Sequence, residues 1–268
     1  MGNIQVLVAT MGRSDFSIAE KMNIPCDAIL ANQTDKTCYS REEKDGRNWQ
    51  MISTNTIGVG INRNLALMAS DADIVLFADD DIVYYDGLQD GVQKAFKHWP
   101  DADVMLFSIE YEKESRIFRR KQVPQKRMRI FNSLKYGACV VAARRESLLR
   151  ENITFHRCFG GGCLYGCGED TLFLKECFDK KLKVYSYDYV LGVCNKDAST
   201  WFEGFNEKFF YDKGAMLSIA FPKLKFLMLP LFAAKFKESH LPYWTRLQLM
   251  RWGGKNVKEL IPYSQAKQ

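Results

Sequence analysis

The sequence predicts an α/β fold: an open, mostly parallel sheet flanked by helices and followed by a helical extension. Three observations carry this expectation. Apolar runs of strand length alternate with helix-period segments through the first 110 residues, the pattern of a doubly wound sheet. The runs are near-continuous rather than alternating, as in strands covered on both faces. After about Ala215 the texture changes to apolar and basic stretches, FPKLKFLMLPLFAAKFK and then YWTRLQLMRWGGK. The chain therefore divides into residues 1–215, the sheet domain, and 216–268, an amphipathic helical extension.

Ile4 to Ala9 is the first strand. Ala28 to Ala31 and Ser53 to Ile57 are weaker strands, and the polar residues between them, Asn32 to Trp49, read as a surface excursion. Ile61, Leu65 and Met68 share one face of a helix entered through Gly58 and Gly60, with Arg63 and Asn64 on its first turn. A strand at Asp73 to Ala78 follows, then a helix from Gly87 to His98 closed by Pro100, and a strand at Val104 to Ile109. The middle is less regular. A basic segment, Arg116 to Arg129, precedes a strand at Gly137 to Ala142 and a glycine- and cysteine-rich loop, Cys158 to Gly168. A helix from Thr171 to Lys180 and a strand at Lys183 to Tyr189 complete the sheet domain.

With 268 residues, 47% of them apolar and 26% charged, the chain buries a large core and is not disordered. Its opening, MGNIQVLVAT, has neither the basic start nor the long apolar centre of a secretory leader. No run reaches the roughly 18 to 20 apolar residues of a spanning helix; Phe226 to Ala234 is short, contains Pro230 and follows Lys223 and Lys225. Eight cysteines in a chain of this size without an export signal are expected to be reduced. A zinc site at Cys158, Cys163 and Cys167 lacks a second close pair. The net charge of +6 suits phosphorylated substrates or anionic lipid and gives no case for a nucleic-acid partner.

Asp79, Asp80 and Asp81 follow the apolar run IVLFA and so stand at a strand's carboxyl end, where ligands of such sheets gather. Adjacent carboxylates repel unless a cation or donors stabilise them. Mg²⁺ or Mn²⁺ shared with substrate phosphates suits an Asp-x-Asp there; a solvated acidic turn is the alternative. Glu169 and Asp170 open a helix after a glycine-rich stretch. They read either as partners of the helix dipole or as a base that accepts a proton from an attacking hydroxyl. Arg63, near a helix start, suits a phosphate or a surface ion pair.

The ordered set GVGINRNLALMAS, IVLFADDDIVY, GCGEDTLFLKE and STWFEG resembles the family 2 glycosyltransferases of the Rossmann-like GT-A fold, over about residues 4 to 215. The resemblance implies a metal-dependent enzyme that transfers a sugar, with inversion, from a nucleotide-diphosphate sugar, expected to be a UDP-sugar, to a hydroxyl of a glycan or lipid-linked acceptor. It implies donor contacts at Thr10, Arg13, Arg63, Asp79 and Asp80, with Asn32 at the base or ribose. Asp81 and Asp79 correspond to the metal-site pair, for Mn²⁺ or Mg²⁺, and Asp170, beside Glu169, to the general base. One departure is clear: relatives place a histidine before the STW-like segment, and this chain has Asn195 near that place. A sugar nucleotidyltransferase or an inactive nucleotide-sugar-binding scaffold are the competing readings. The first lacks an early glycine-rich phosphate loop and leaves Glu169 and Asp170 unexplained. The basic and apolar tail, with Tyr243, Trp244 and Trp252, suits either interfacial helices or a packed lid. The interfacial reading places the protein in the cytoplasm, peripheral on the inner face of the cell membrane.

Overall fold

The structure, a computed structural model, describes residues 2–113, 116–119, 123–195, 204–236 and 239–267. The chain forms two compact units. One comprises Met1–Ile57, Ile61–Phe155 and Phe173–Ser199; the other comprises Gly58–Gly60, His156–Leu172 and Thr200–Gln268.

The first unit carries the sheet. Its strands are β1 (Ile4–Met11), β2 (Asp27–Gln33), β3 (Cys38–Lys44), β4 (Arg47–Thr54), β5 (Ile74–Asp79), β6 (Ile82–Tyr84), β7 (Val104–Lys113), β8 (Arg116–Arg119), β9 (Lys126–Arg127), β10 (Val141–Arg144) and β11 (Val184–Asn195). They lie in the order β3-β4-β2-β1-β5-β10-β7-β11-β6, with β8 beside β7 and β9 beside β11. The four strands β4, β2, β1 and β5 run parallel. β10 is antiparallel to both β5 and β7. β1 is buried from Ile4 to Thr10 and β5 from Ile74 to Ala78, which is why their sequences are continuous apolar runs.

Helices α1 (Ser17–Lys21), α2 (Val59–Ala69), α3 (Leu88–His98), α4 (Ile130–Ser133), α5 (Arg145–Arg150) and α6 (Glu169–Asp179) are interspersed among these strands along the chain. α3 lays Leu88, Val92, Ala95 and Phe96 on the core, the i, i+4, i+7 spacing of a one-sided helix. Phe77 of β5 meets Phe155 and Phe173 edge-on at 5.0 and 5.5 Å, and those two rings stack at 4.2 Å.

Three sequence expectations need correction. The excursion from Asn32 to Trp49 is instead largely an antiparallel hairpin of β3 with β4. β3 is exposed along most of its length and carries Arg41, Glu42, Glu43 and Lys44, so it has no apolar face to reveal it. The strand expected at Ser53 to Ile57 ends at Thr54, because it begins earlier, at Arg47, with Trp49 wholly buried. Arg63 is the fifth residue of α2, past its first turn.

The second unit contains α7 (Glu207–Ala220), α8 (Lys225–Lys235), α9 (Tyr243–Asn256) and α10 (Tyr263–Ala266). The expected boundary at 215/216 lies within α7. α7 and α9 cross at small residues: a Cβ on Gly214 would collide with the Met250 backbone, and one on Gly253 with the Tyr211 carbonyl. Tyr165 and Tyr211 both donate to the Ile261 carbonyl, at 3.1 and 2.8 Å. Among the described residues, no helix is long and apolar enough to cross a membrane, and none of the eight cysteines is in a disulfide.

Candidate functional site

Register aligns the carboxyl ends of the parallel strands. Thr10 of β1 pairs with Asn32 of β2, Asn32 pairs with Ser53 of β4, and Ala9 pairs with Asp79 of β5. From β1 the chain first builds outward through β2 and then resumes on the other side at β5. The crevice beyond β1 and β5 is therefore the point where strand order reverses, the usual ligand position in such sheets.

Six of the residues expected there come together. The Asp80 carboxylate accepts from Thr10 Oγ1 at 2.5 Å and from the Arg13 guanidinium at 2.8 Å, and Arg13 Nε donates to Thr10 Oγ1 at 3.0 Å. Arg13 and Asp80 are 38% and 27% exposed, so this ion pair is partly hydrated and easily exchanged for another anion. Arg63 differs. Only 3% exposed, it bonds Asp79 at 2.6 Å and lies over the Phe155 ring at 5.2 Å.

Asn32 has a supporting part in this structure. It is fully buried; its Oδ1 accepts from the Arg13 amide at 3.0 Å, and its Nδ2 donates to the Arg13 carbonyl at 2.8 Å and to Ser53 Oγ at 2.9 Å. The side chain expected at a base or ribose thus grips the loop after β1. Gly12 turns that loop with a φ of +67°, where a side chain would be strained. Two contributors escaped the sequence reading. Asn62 donates to the Thr10 carbonyl at 3.3 Å; its position beside Arg63 was the available signal. Cys194 donates its thiol to Asp81 at 3.3 Å, brought there by the pairing of β11 with β6.

Asp81 is pushed above the usual carboxylate range, first by burial and then by the charge of Asp79, while the Cys194 thiol opposes the shift. Such a carboxylate gains from a proton or a cation. Among the described residues no group of three His, Cys, Asp or Glu side chains is arranged to hold a metal. A single hard oxygen donor such as Asp81 at the carboxyl edge of the sheet suits Mg²⁺ or Mn²⁺, ions that take few protein ligands and fill the rest of their shell with water and substrate oxygens. Cys194 lies beside Asn195, where the resemblance placed a histidine; the Asn195 side chain and the segment 199–201 fall outside the described residues.

Glu169 and Asp170 belong to the second unit, on the first turn of α6. Gly168, with φ +112°, starts the helix, and the Leu172 amide donates to its carbonyl at 2.9 Å. A Cβ on Gly160 would strike Val59 and the Glu169 carboxylate, so the glycine admits the Glu169 side chain over the loop. Phe159 stacks on Tyr165 at 4.6 Å. The Gly166 amide donates to Asp212 at 2.8 Å, and Asp212, paired with Lys208, is nonetheless raised by burial. Both acids stand on the first turn of α6, where carboxylate side chains face the partial positive charge of the helix dipole.

Residues 38–157 match the model of glycosyl transferase family 2. The fold is similar to that of TarS 1–349 from S. aureus in complex with UDP-GlcNAc, with a TM-score of 0.59 at 14% identity, over 98% of this chain and 74% of that one. TarS 1–349 in complex with UDP gives the same score and identity over 95% and 83%. No curated protein sequence matches the chain. The family model thus covers less than half of the chain, residues 38–157 of 268, and the structural likeness shows that the chain shares the GT-A fold of TarS 1–349.

Proposed function

We propose that the protein transfers a sugar from a nucleotide-diphosphate sugar, preferentially a UDP-sugar, to a hydroxyl of a glycan or lipid-linked acceptor, with inversion and with Mn²⁺ or Mg²⁺. The observation that carries this reading is the linked set at the strand reversal point: Thr10, Arg13 and Asp80 in one group, Arg63 with Asp79 in another. Arg13 is exposed enough to release Asp80 for a phosphate oxygen, and buried Arg63 holds a fixed positive charge behind it. Asp81 would hold the cation, which supplies charge neutralisation to the departing diphosphate. Asp170 receives the acceptor proton, and Glu169 contributes to the same acidic helix start.

A transfer assay on Asp170→Asn tests this. Transfer should fall by roughly 10²- to 10⁴-fold, while the donor still raises the melting temperature of the variant, because bound ligand stabilises the folded state. A thermal-shift screen of UDP-, GDP- and dTDP-sugars with and without Mn²⁺ identifies the donor beforehand. Full transfer by Asp170→Asn would overturn its assignment. Donor binding with no turnover by the unmodified protein, across donors and acceptors, would instead make it a binding scaffold.

A further inference from the structure

In the second unit, the outward face of α8 is apolar where a surface helix normally carries polar groups. Met228, Leu229 and Ala233 are its buried side. The opposite side exposes Leu227 at 60% and Leu231 at 57%; Phe226 is 82% exposed, and Leu224, just before the helix, is 44% exposed. Leu224, Leu227 and Leu231 follow helical spacing and form one stripe. Lysines bracket it. Lys223 and Lys225 stand at the start and Lys235 at the end, and residues 221–236 include no Asp or Glu. The ammonium groups of Lys225 and Lys235 lie 5.3 and 5.7 Å from the rings of Phe226 and Phe232, apolar stems and rings together with the charges at the edge. Trp244, 72% exposed, opens α9, whereas Arg246, Leu247 and Met250 of that helix are buried.

We infer that the stripe Leu224–Leu227–Leu231, with Phe226 and its flanking lysines, docks on an anionic lipid surface. Charge complementarity selects this occupant. A second copy of the chain would bring the same lysines against one another, whereas anionic headgroups answer them while the leucines and phenylalanine enter the acyl boundary. At eleven residues, α8 lies along the interface rather than across it. Within the tail that the sequence read either as interfacial helices or as a packed lid, the α8 stripe is an outward-facing apolar part. The inference is independent of the transfer reaction, since it concerns only adsorption of the folded chain.

The test is co-sedimentation of the full chain with phosphatidylglycerol–phosphatidylcholine vesicles, with pure phosphatidylcholine vesicles as the neutral arm and no donor present. Binding should favour the anionic vesicles by at least about tenfold and weaken with salt. Leu227→Ser with Leu231→Ser should lower it about tenfold or more with an unchanged thermal melt, because both side chains are already exposed. Lys223→Ser and Lys235→Ser should each lower it about fivefold at low salt. No binding to anionic vesicles, or equal binding by the double leucine variant, overturns the inference. So does a dimer in lipid-free buffer that the leucine substitutions convert to monomer, for then the face is covered by a second copy.

Discussion

The carboxyl edge of the sheet and the loop-and-helix unit are ordered by different physics. At the sheet edge, strand register lines up polar side chains, and those side chains bind one another: Thr10 with Asp80, Arg13 with Asp80, Arg63 with Asp79. In the other unit, order comes from clearance, with glycines where helices cross and where Glu169 overlies the loop, and from stacked rings such as Phe159 on Tyr165. The difference predicts tolerance. Half-exposed ion pairs can be traded for ligand contacts at small cost, whereas a backbone packed against a missing side chain cannot accept even a methyl group.

The sharpest way to break this contrast is Gly214→Val. The new Cβ meets the Met250 backbone rather than a flexible side-chain end, so overpacking should cost about 3 kcal/mol in urea unfolding. Gly12→Ala at the sheet edge, where nothing lies within 4 Å of the added atom, should cost only roughly 1 kcal/mol, from its φ of +67°. Equal losses at the two glycines would remove the distinction. Next in size is Arg63→Ala, expected to cost about 2 kcal/mol, below the roughly 3–5 kcal/mol of breaking a wholly buried pair, because Asp79 keeps 40% exposure. An unchanged unfolding midpoint would mean that the pair contributes nothing.

The smallest effect concerns pH. Asp81 is raised in the folded protein from a reference value of 3.8, so the folded state holds its proton more tightly than the unfolded chain. Stability from this group is therefore present below 3.8 and lost as pH rises through the raised value. Asp81→Asn should raise the melting temperature by about 2 °C at pH 7, with no gain in acid at pH values below the reference. A gain of equal size at both would assign the effect to packing instead.

Legibility followed the same contrast. β1 and β5 were readable because burial on both faces writes continuous apolar sequence. The β3–β4 hairpin was not, since β3 is charged and exposed, although the alternate burial of Trp49, Met51 and Ser53 in β4 left a faint period-two trace. The identity of Asp79, Asp80 and Asp81 as strand-end residues followed from the run IVLFA. Which partners they take did not, because Arg13 reaches Asp80 across 67 residues and Cys194 reaches Asp81 across 113. Asn32 makes the same point: the resemblance offered it a place at the base or ribose, and nothing in the sequence announced that both ends of its buried amide also bind the Arg13 backbone.

The row formed by Thr10, Asn32 and Ser53 has an evolutionary corollary. Successive residues of a strand face opposite ways, so inserting one residue early in β1 would exchange the parity of everything after it, turning Thr10 away and presenting an aliphatic neighbour instead. A change in the length of β1 or β2 therefore dismantles this row, whereas the connections that follow the strands can lengthen without disturbing it.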